Sequence, residues 1–424
     1  MKTSFILTSF LAAPSQFAER SGEIEARTIA NLVNSTTSQP LAMSKPKPTI
    51  FIIGGTGAQG IPVIRGLAKN DTYTIRVLTR DPTSARAQHL AALSPDVHLL
   101  RGTFTFESDL RAGFAGAWGA YINIDGFATG EALEMFFTTR CYEIAVECGV
   151  KFYVHGNIDF YYKLSGYNPA YRCGHGDAKG RIWESIAARG AADKVARGEW
   201  AMRVAALTTG PYMDMALSAF TPVSPAIERD EQTGEEVVTW RLPLTENGAI
   251  AHTSLDDLEY YARWLFDHHG DEEVDGMNLE VGIDHIHYRD VAKAFEKVTG
   301  RKAKFVDVDL ETYFSEGGFS KIAELPTGYM VSKDSLAAMS VKENFTGWWN
   351  TWRASGGNKG VVKRDYRLLD KIYPPRTRSV EEFFRKEAEK AEREGKGTLW
   401  DVVAGGKTVL KINEDGRNGL VASD

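Results

Sequence analysis

Cysteine is scarce in this sequence: three in 424 residues, Cys141, Cys148 and Cys173, with no CxxC spacing. So small and odd a set excludes a disulfide framework, offers no thiolate zinc site, and suits a reducing compartment. Long Lys/Arg runs are absent too. With a formal net charge of -6, that removes the electrostatic basis for direct nucleic-acid binding. No apolar run is long enough to cross a bilayer. "SFILTSFLAA", after Lys2, is interrupted by Thr8 and Ser9 and makes a poor secretory leader. Residues 1–46 therefore read as a disordered extension, with Met43 standing where a cytosolic chain would begin, and the location reads as cytoplasmic with the nucleus open.

What is present is an ordinary globular composition, 43% hydrophobic and 25% charged. From "TIFII" (49–53) the chain alternates short apolar runs with helical patterns. "YTIRVLTR" (73–80), "VHLLRG" (97–102), "GAYINI" (119–124), "KFYVHG" (151–156) and "AMRVAALTTG" (201–210) follow as strands. Between the fourth and fifth, Thr129 to Gly149 predicts a helix with Leu133, Phe136, Phe137, Cys141, Ile144 and Cys148 on its apolar face. Right-handed crossovers make this an α/β fold, a doubly wound parallel Rossmann sheet. The predicted division is 1–46 extension, 47–215 NAD(P)-binding Rossmann domain, 216–330 smaller α/β substrate lobe and 331–424 C-terminal extension.

"GGTGAQG" joins the first strand to a helix. Gly54 permits the tight turn, Gly57 lets a pyrophosphate approach the backbone, and Gly60 lets the helix pack on the strand, so the turn is an anion site for a dinucleotide. At the end of the second strand, "TRDPTSAR" offers Arg80, with Ser84 and Arg86 behind it, where an NAD site usually has a carboxylate. Arg80 suits the 2'-phosphate of NADP; Asp81 beside it keeps NAD as the lesser alternative.

These motifs, with "AVECGVKFYVHG", "HGDAKGRIWESI" and "GPYMDM", occur in the order that resembles the NmrA-like branch of the atypical short-chain dehydrogenases. The tail "ENFTGWWNTWRASGGNKGVVKRDY" is similar to that of filamentous-fungal members. Carried over by position, the resemblance implies cofactor contacts from Gly54, Gly55, Thr56, Gly57, Ala58 and Gln59 in the turn, and from Arg80, Asp81, Pro82, Thr83 and Ser84. It further implies contacts from Thr103 and Phe104, from Asn123, Ile124 and Asp125, from Lys179, and from Tyr212, Met213, Asp214 and Met215. "GTFTFESDL" departs from the pattern by lacking the usual Gly-Asp pair after the third strand.

Ordinary short-chain dehydrogenases set a tyrosine four residues before the lysine, which lowers the phenol pKa for proton transfer. Here that position is His175, and the resemblance extends to family members that bind the cofactor as redox sensors without turnover. Lys179 is the predicted ribose-binding and catalytic lysine. His175, Tyr161 and Tyr162 are the candidate proton donors, the tyrosines lying in the long insertion between Gly156 and Lys179. The distant Tyr329–Lys333 pair reads as chance.

Asp256 and Asp257, near His252, read as acids at a helix start, the pair His285 and His287 leaves one side chain at the surface, and no metal is predicted. Trp348, Trp349 and Trp352 beside Phe345 read as packing anchors. Ser379 with Glu382 opens a helix through about Glu394 that has little apolar face beyond Phe383 and Phe384, and so projects into solvent or meets a partner. Two functions remain. One is an NADP-dependent oxidoreductase acting on a small organic molecule, in fungal secondary metabolism as the resemblance implies. The other is a non-catalytic NADP(H) redox sensor that regulates transcription or signalling through protein partners. Either leaves room for a protein partner or a homodimer, with no membrane.

Overall fold

Seven strands form a parallel sheet: β1 Thr49–Ile53, β2 Thr74–Thr79, β3 Val97–Arg101, β4 Gly119–Ile122, β5 Phe152–Ile158, β6 Arg203–Thr209 and a later strand, Asn278–Val281. Their spatial order is β3-β2-β1-β4-β5-β6, with the later strand at the far edge. The chain thus reverses direction across the sheet between β1 and β4, where ligand crevices of doubly wound folds lie. The computed structural model describes residues 46–197, 202–332 and 334–411. The readings for residues 1–42 and for Lys333 fall outside them. The described residues from Lys47 onward pack as one compact unit.

Continuous apolar runs such as "IFII" suit strands covered on both faces. Helices α1 Gly60–Leu67, α2 Ala85–Ala91, α3 Glu107–Phe114, α4 Gly126–Glu147, α5 Tyr161–Leu164, α6 Gly174–Arg197 and α7 Leu255–Asp267 accompany the sheet. On one face Ile64 and Leu67 of α1 share a core with Leu258 and Leu265 of α7; on the other, Phe114, Ile144, Ile182 and Ile186 do so from α3, α4 and α6. Each such side chain contributes about 1.5–3 kcal/mol by leaving water.

The predicted apolar face of α4 is rotated. Glu134, Thr138, Cys141 and Ala145 face inward, while Phe136 is exposed. The helix also begins earlier, at Gly126, and breaks at Gly130, whose φ of 68° and ψ of 171° leave the helical region. Thr327 and Val331 pack into that break, and the main chain of Tyr329 and Met330 donates to the carbonyls of Phe127 and Ala128.

Beyond β6 come β7 Ala226–Arg229, β8 Glu236–Leu242, β9 Ile250–His252, β10 Asn278–Val281 (the edge strand above), β11 Asp284–Ile286 and β12 Ala303–Asp307. β7 and β12 flank β8 in a small sheet, and β9 pairs with β11. Helices α8 Tyr288–Thr299, α9 Leu310–Glu316, α10 Val341–Arg353, α11 Tyr366–Ile372, α12 Val380–Arg393 and α13 Leu399–Ala404 complete this part. Its core holds Trp240, Phe295, Trp349 and Trp352. α12 does not project into solvent: Phe383 and Phe384 are buried, Phe384 meeting the Phe295 ring edge-on at 5.8 Å, because two phenyl rings and Ala391 suffice to seat a short charged helix. Asp256 and Asp257 follow the N-cap Ser254. Asp256 pairs with Arg65 and Lys390, and Asp257 accepts from Thr377, so both carboxylates are engaged in ordinary tertiary contacts. Of the pair His285 and His287, neither is fully exposed: His285 is half-buried between Tyr366 and the Val362 carbonyl, and His287 accepts from Arg289 N–H and meets the Thr245 carbonyl. The Asp159 carboxylate after β5 takes two hydrogen bonds from Arg364, at 2.7 and 2.6 Å, in full burial.

Candidate functional site

At the carboxyl ends of the parallel strands lies a cavity of about 870 Å³. One half is built from the loops that leave β1 to β4. Gly54, with φ of 84°, turns the chain so tightly that a Cβ there would stand 2.2 Å from the Asn123 carbonyl oxygen; one at Gly60 would stand 2.2 Å from the carbonyl of Gly54. No side chain caps α1; Ile61 N–H donates to the Gly57 carbonyl at 3.2 Å, Pro62 has no N–H, and Val63 N–H donates to the carbonyl of the N-cap Gln59 at 3.4 Å. Gln59, the N-cap, instead donates to Tyr121 Oη at 2.9 Å and accepts from Asn123 and Tyr212, each at 3.1 Å.

Lys179 and His175 stand one turn apart in α6, and both line the cavity. The Lys179 ammonium donates to Asn123 Oδ1 at 3.1 Å and to the Ile124 carbonyl at 2.7 Å. Its third neighbour is Glu134 Oε1 at 2.6 Å, an ion pair with a fully buried carboxylate. Burial lifts the Glu134 pKa to about 7 against the pull of Lys179. Lys179 therefore pins the end of β4 and the start of α4, and Glu134 is a site residue that reading Leu133 and Phe136 as the inward face concealed.

His175 sits between Phe127 and Phe345, ring centroids 4.7 and 5.6 Å away. Asn344 Oδ1 accepts from the His175 backbone N–H at 3.3 Å and lies 3.1 Å from the ring Nδ1, while Asn344 Nδ2 lies 2.9 Å from the same nitrogen and is taken as its donor. That assignment puts the ring proton on Nε2. Burial, reinforced by Lys179, lowers its pKa to about 4, which favours the neutral imidazole near pH 7.

Tyr161 also lines the cavity, but burial pushes its phenol well above the ordinary value, opposite to what a neighbouring lysine imposes on a catalytic tyrosine. Tyr162 points elsewhere, under Arg172 and edge-on to Tyr167, because its backbone N–H is tied to Asp177. Arg80, Thr103, Phe104, Asn123, Ile124, Asp125, Tyr212 and Met215 line the cavity with Gly54, Thr56, Gly57, Ala58 and Gln59. Gly55, Asp81, Pro82, Thr83, Ser84, Met213 and Asp214 do not. The Asp81 carboxylate turns back to accept from Thr83 N–H at 2.8 Å and Oγ1 at 2.6 Å, which lowers its pKa, and Ser84 caps α2. Gly55 packs on Val77, Met213 is core, and Asp214 accepts from Leu255 N–H.

The other half of the cavity is apolar. Phe127, Phe220 and Met330, all partly exposed, face it together with Phe319, Phe345 and Trp348. Tyr329, set aside as a chance pairing, lies in this wall, carried there by its main-chain bond to Phe127.

Sheet order, glycine turn and a cavity at the carboxyl edge define a Rossmann-type α/β protein. The chain belongs to the NmrA-like family, which it matches over residues 46–383. Its relatives include two NmrA-like family domain-containing oxidoreductases. One, hkm9 of Aspergillus hancockii, is 36% identical over 110 residues, 25% of this chain and 32% of the relative. The other, lnaB of Aspergillus flavus, is 35% identical over 114 residues, 26% of this chain and 34% of the relative. The chain thus aligns with about a third of the length of these curated relatives. Among solved structures, NmrA, a negative transcriptional regulator in complex with NAD, superposes with a TM-score of 0.61 at 15% identity over 84% of this chain and 99% of that one. The NADPH-dependent quinone oxidoreductase QOR2 of Escherichia coli, in complex with NADPH, gives 0.52 at 18% identity over 79% and 98%. At these identities the likeness is one of fold.

Proposed function

We propose that the protein is an NADP(H)-dependent oxidoreductase that acts on a small, largely apolar and aromatic molecule. The observation that carries this reading is the continuity of one cavity from the glycine turn, past Lys179 and His175, into the chamber walled by Phe127, Phe319, Phe345 and Trp348. Its volume is at the upper end of small-ligand pockets, enough for a dinucleotide end and a substrate together. The uncapped α1 and the close turn at Gly54 fit a pyrophosphate, and Arg80 in the lining with Asp81 turned away favours a 2'-phosphate. The nicotinamide complexes of the two structural neighbours, one with NAD and one with NADPH, and the oxidoreductase names of the fungal relatives support a nicotinamide cofactor and a redox reaction. We extend it to fungal secondary metabolism on the strength of those relatives.

A nicotinamide bound there would supply or accept a hydride. The chain's own residues do the rest. Lys179 fixes Asn123 and Ile124 at the mouth of β4, and the aromatic wall excludes water and orients a flat substrate. Neutral His175 offers Nε2–H to an oxygen that gains charge, as a fixed dipole rather than an acid. A redox sensor is the second reading, favoured by the lack of a phenol coupled to Lys179.

The test is NADPH consumption by purified protein across aromatic ketones, quinones and enones, beside Lys179→Ala. Turnover that falls at least about 10²-fold with weakened NADPH affinity in the variant supports the enzyme. NADPH bound but never consumed moves the assignment to the sensor.

A further inference from the structure

The C-terminal end of the described chain crosses the mouth of the dinucleotide half of the cavity. The Ala219 N–H donates to the Lys407 carbonyl at 3.1 Å, Val409 packs against one of the core clusters of the sheet, and Leu410 and Lys411 join the cavity lining. Lys411 Nζ lies 3.2 Å from Thr56 Oγ1, in the middle of the glycine turn, and its charge also helps lower the Asp81 pKa at the end of β2. A segment 355 residues distant in sequence thus sets an ammonium over the tightest part of the turn.

We propose that residues 407–411 form a strap over the bound dinucleotide and that Lys411 contributes a cation to its pyrophosphate. The proposal rests on the cofactor reading above and adds to it a binding residue outside the Rossmann core. The chemistry is direct. Backbone amides of the turn and the α1 terminus carry only partial charges, whereas the phosphates bring full negative charges into a groove with partly apolar walls. Thr56 Oγ1 holds the ammonium where it meets oxygens seated on the turn, so NADPH and NADH should feel it alike. Arg80, at the end of β2, should matter to NADPH only.

Calorimetric titration of NADPH and NADH into wild type, Lys411→Gln, Lys411→Arg and Arg80→Ala separates the possibilities. Lys411→Gln should weaken both dinucleotides by about tenfold, the effect of one charge-assisted contact. The loss should shrink at high salt, and Lys411→Arg should stay within about threefold of wild type. Arg80→Ala should weaken NADPH alone. Unchanged affinities in Lys411→Gln, a loss confined to NADPH, or an Arg variant as weak as the Gln variant would each overturn the strap while leaving the cofactor reading intact. Wild type that binds neither dinucleotide would overturn both.

Discussion

The two halves of the cavity are built in opposite ways. Apart from Leu410 and Lys411, the dinucleotide half comes mainly from short loops that each follow a strand, so each part is contiguous with its own strand and its geometry follows from the sheet. The aromatic half is gathered from Phe127, Phe220, Phe319, Tyr329, Phe345 and Trp348, which reach one wall from widely separated segments. A strand, a glycine turn and a helix can be fixed by local rules. A wall assembled by long-range packing obeys no periodicity, and its members look like ordinary core residues until the chain is folded.

The largest effect should come from the local half. Valine at Gly54 would have to adopt a φ of 84° and set a Cβ 2.2 Å from a backbone carbonyl oxygen. Strain of that kind costs at least about 2 kcal/mol and cannot be relieved without moving the turn. Gly54→Val should lose NADPH binding by more than about 10²-fold in a titration and melt several degrees lower. Retained affinity would mean that the turn is not the phosphate cradle.

The distant half is sharpened by Phe345→Ala. Phe345 is buried, stacks parallel to Phe127 at 5.9 Å and meets Phe319 edge-on. Truncation should cost about 3 kcal/mol in urea denaturation. If the halves are independent, NADPH affinity should stay within about twofold while turnover of aromatic substrates collapses. A tenfold change in NADPH affinity would erase the distinction between the halves.

That contrast also explains what was legible. The sheet, the glycine turn and Lys179 lay in local patterns, and their elements match the predicted runs nearly residue for residue. Glu134 was hidden because two plausible apolar stripes run along α4, and the inward one contains a carboxylate. Asn344, Tyr329 and Lys411 carry no local signal at all; only the fold brings them to His175, Phe127 and Thr56. Asp81 and Ser84 stand outside the cavity lining, because their side chains bond to the turn and the helix start around them.

His175 joins the two halves, and its effect should be the smallest and most pH-dependent. Its pKa is about 4 in the folded protein and 6.5 ordinarily. Below 6.5 the unfolded chain takes up a proton that the folded chain refuses until about 4. The stability this site contributes is therefore fully present above 6.5 and is lost as pH falls toward 4. Between about pH 7.5 and about pH 5, wild type should lose roughly 1–2 kcal/mol more than His175→Asn, read from urea unfolding at both values. The comparison is between slopes, so titrations common to both proteins cancel, including that of Glu134, whose raised pKa acts with the opposite sign. The same property bears on catalysis. A donor that stays neutral adds no inflection of its own, so wild type and His175→Asn should share one pH–rate shape between about pH 6 and about pH 8, whereas an imidazolium acid would make only the wild-type rate fall as pH rises through its pKa. Parallel stability profiles together with such a fall would return His175 to the role of proton donor.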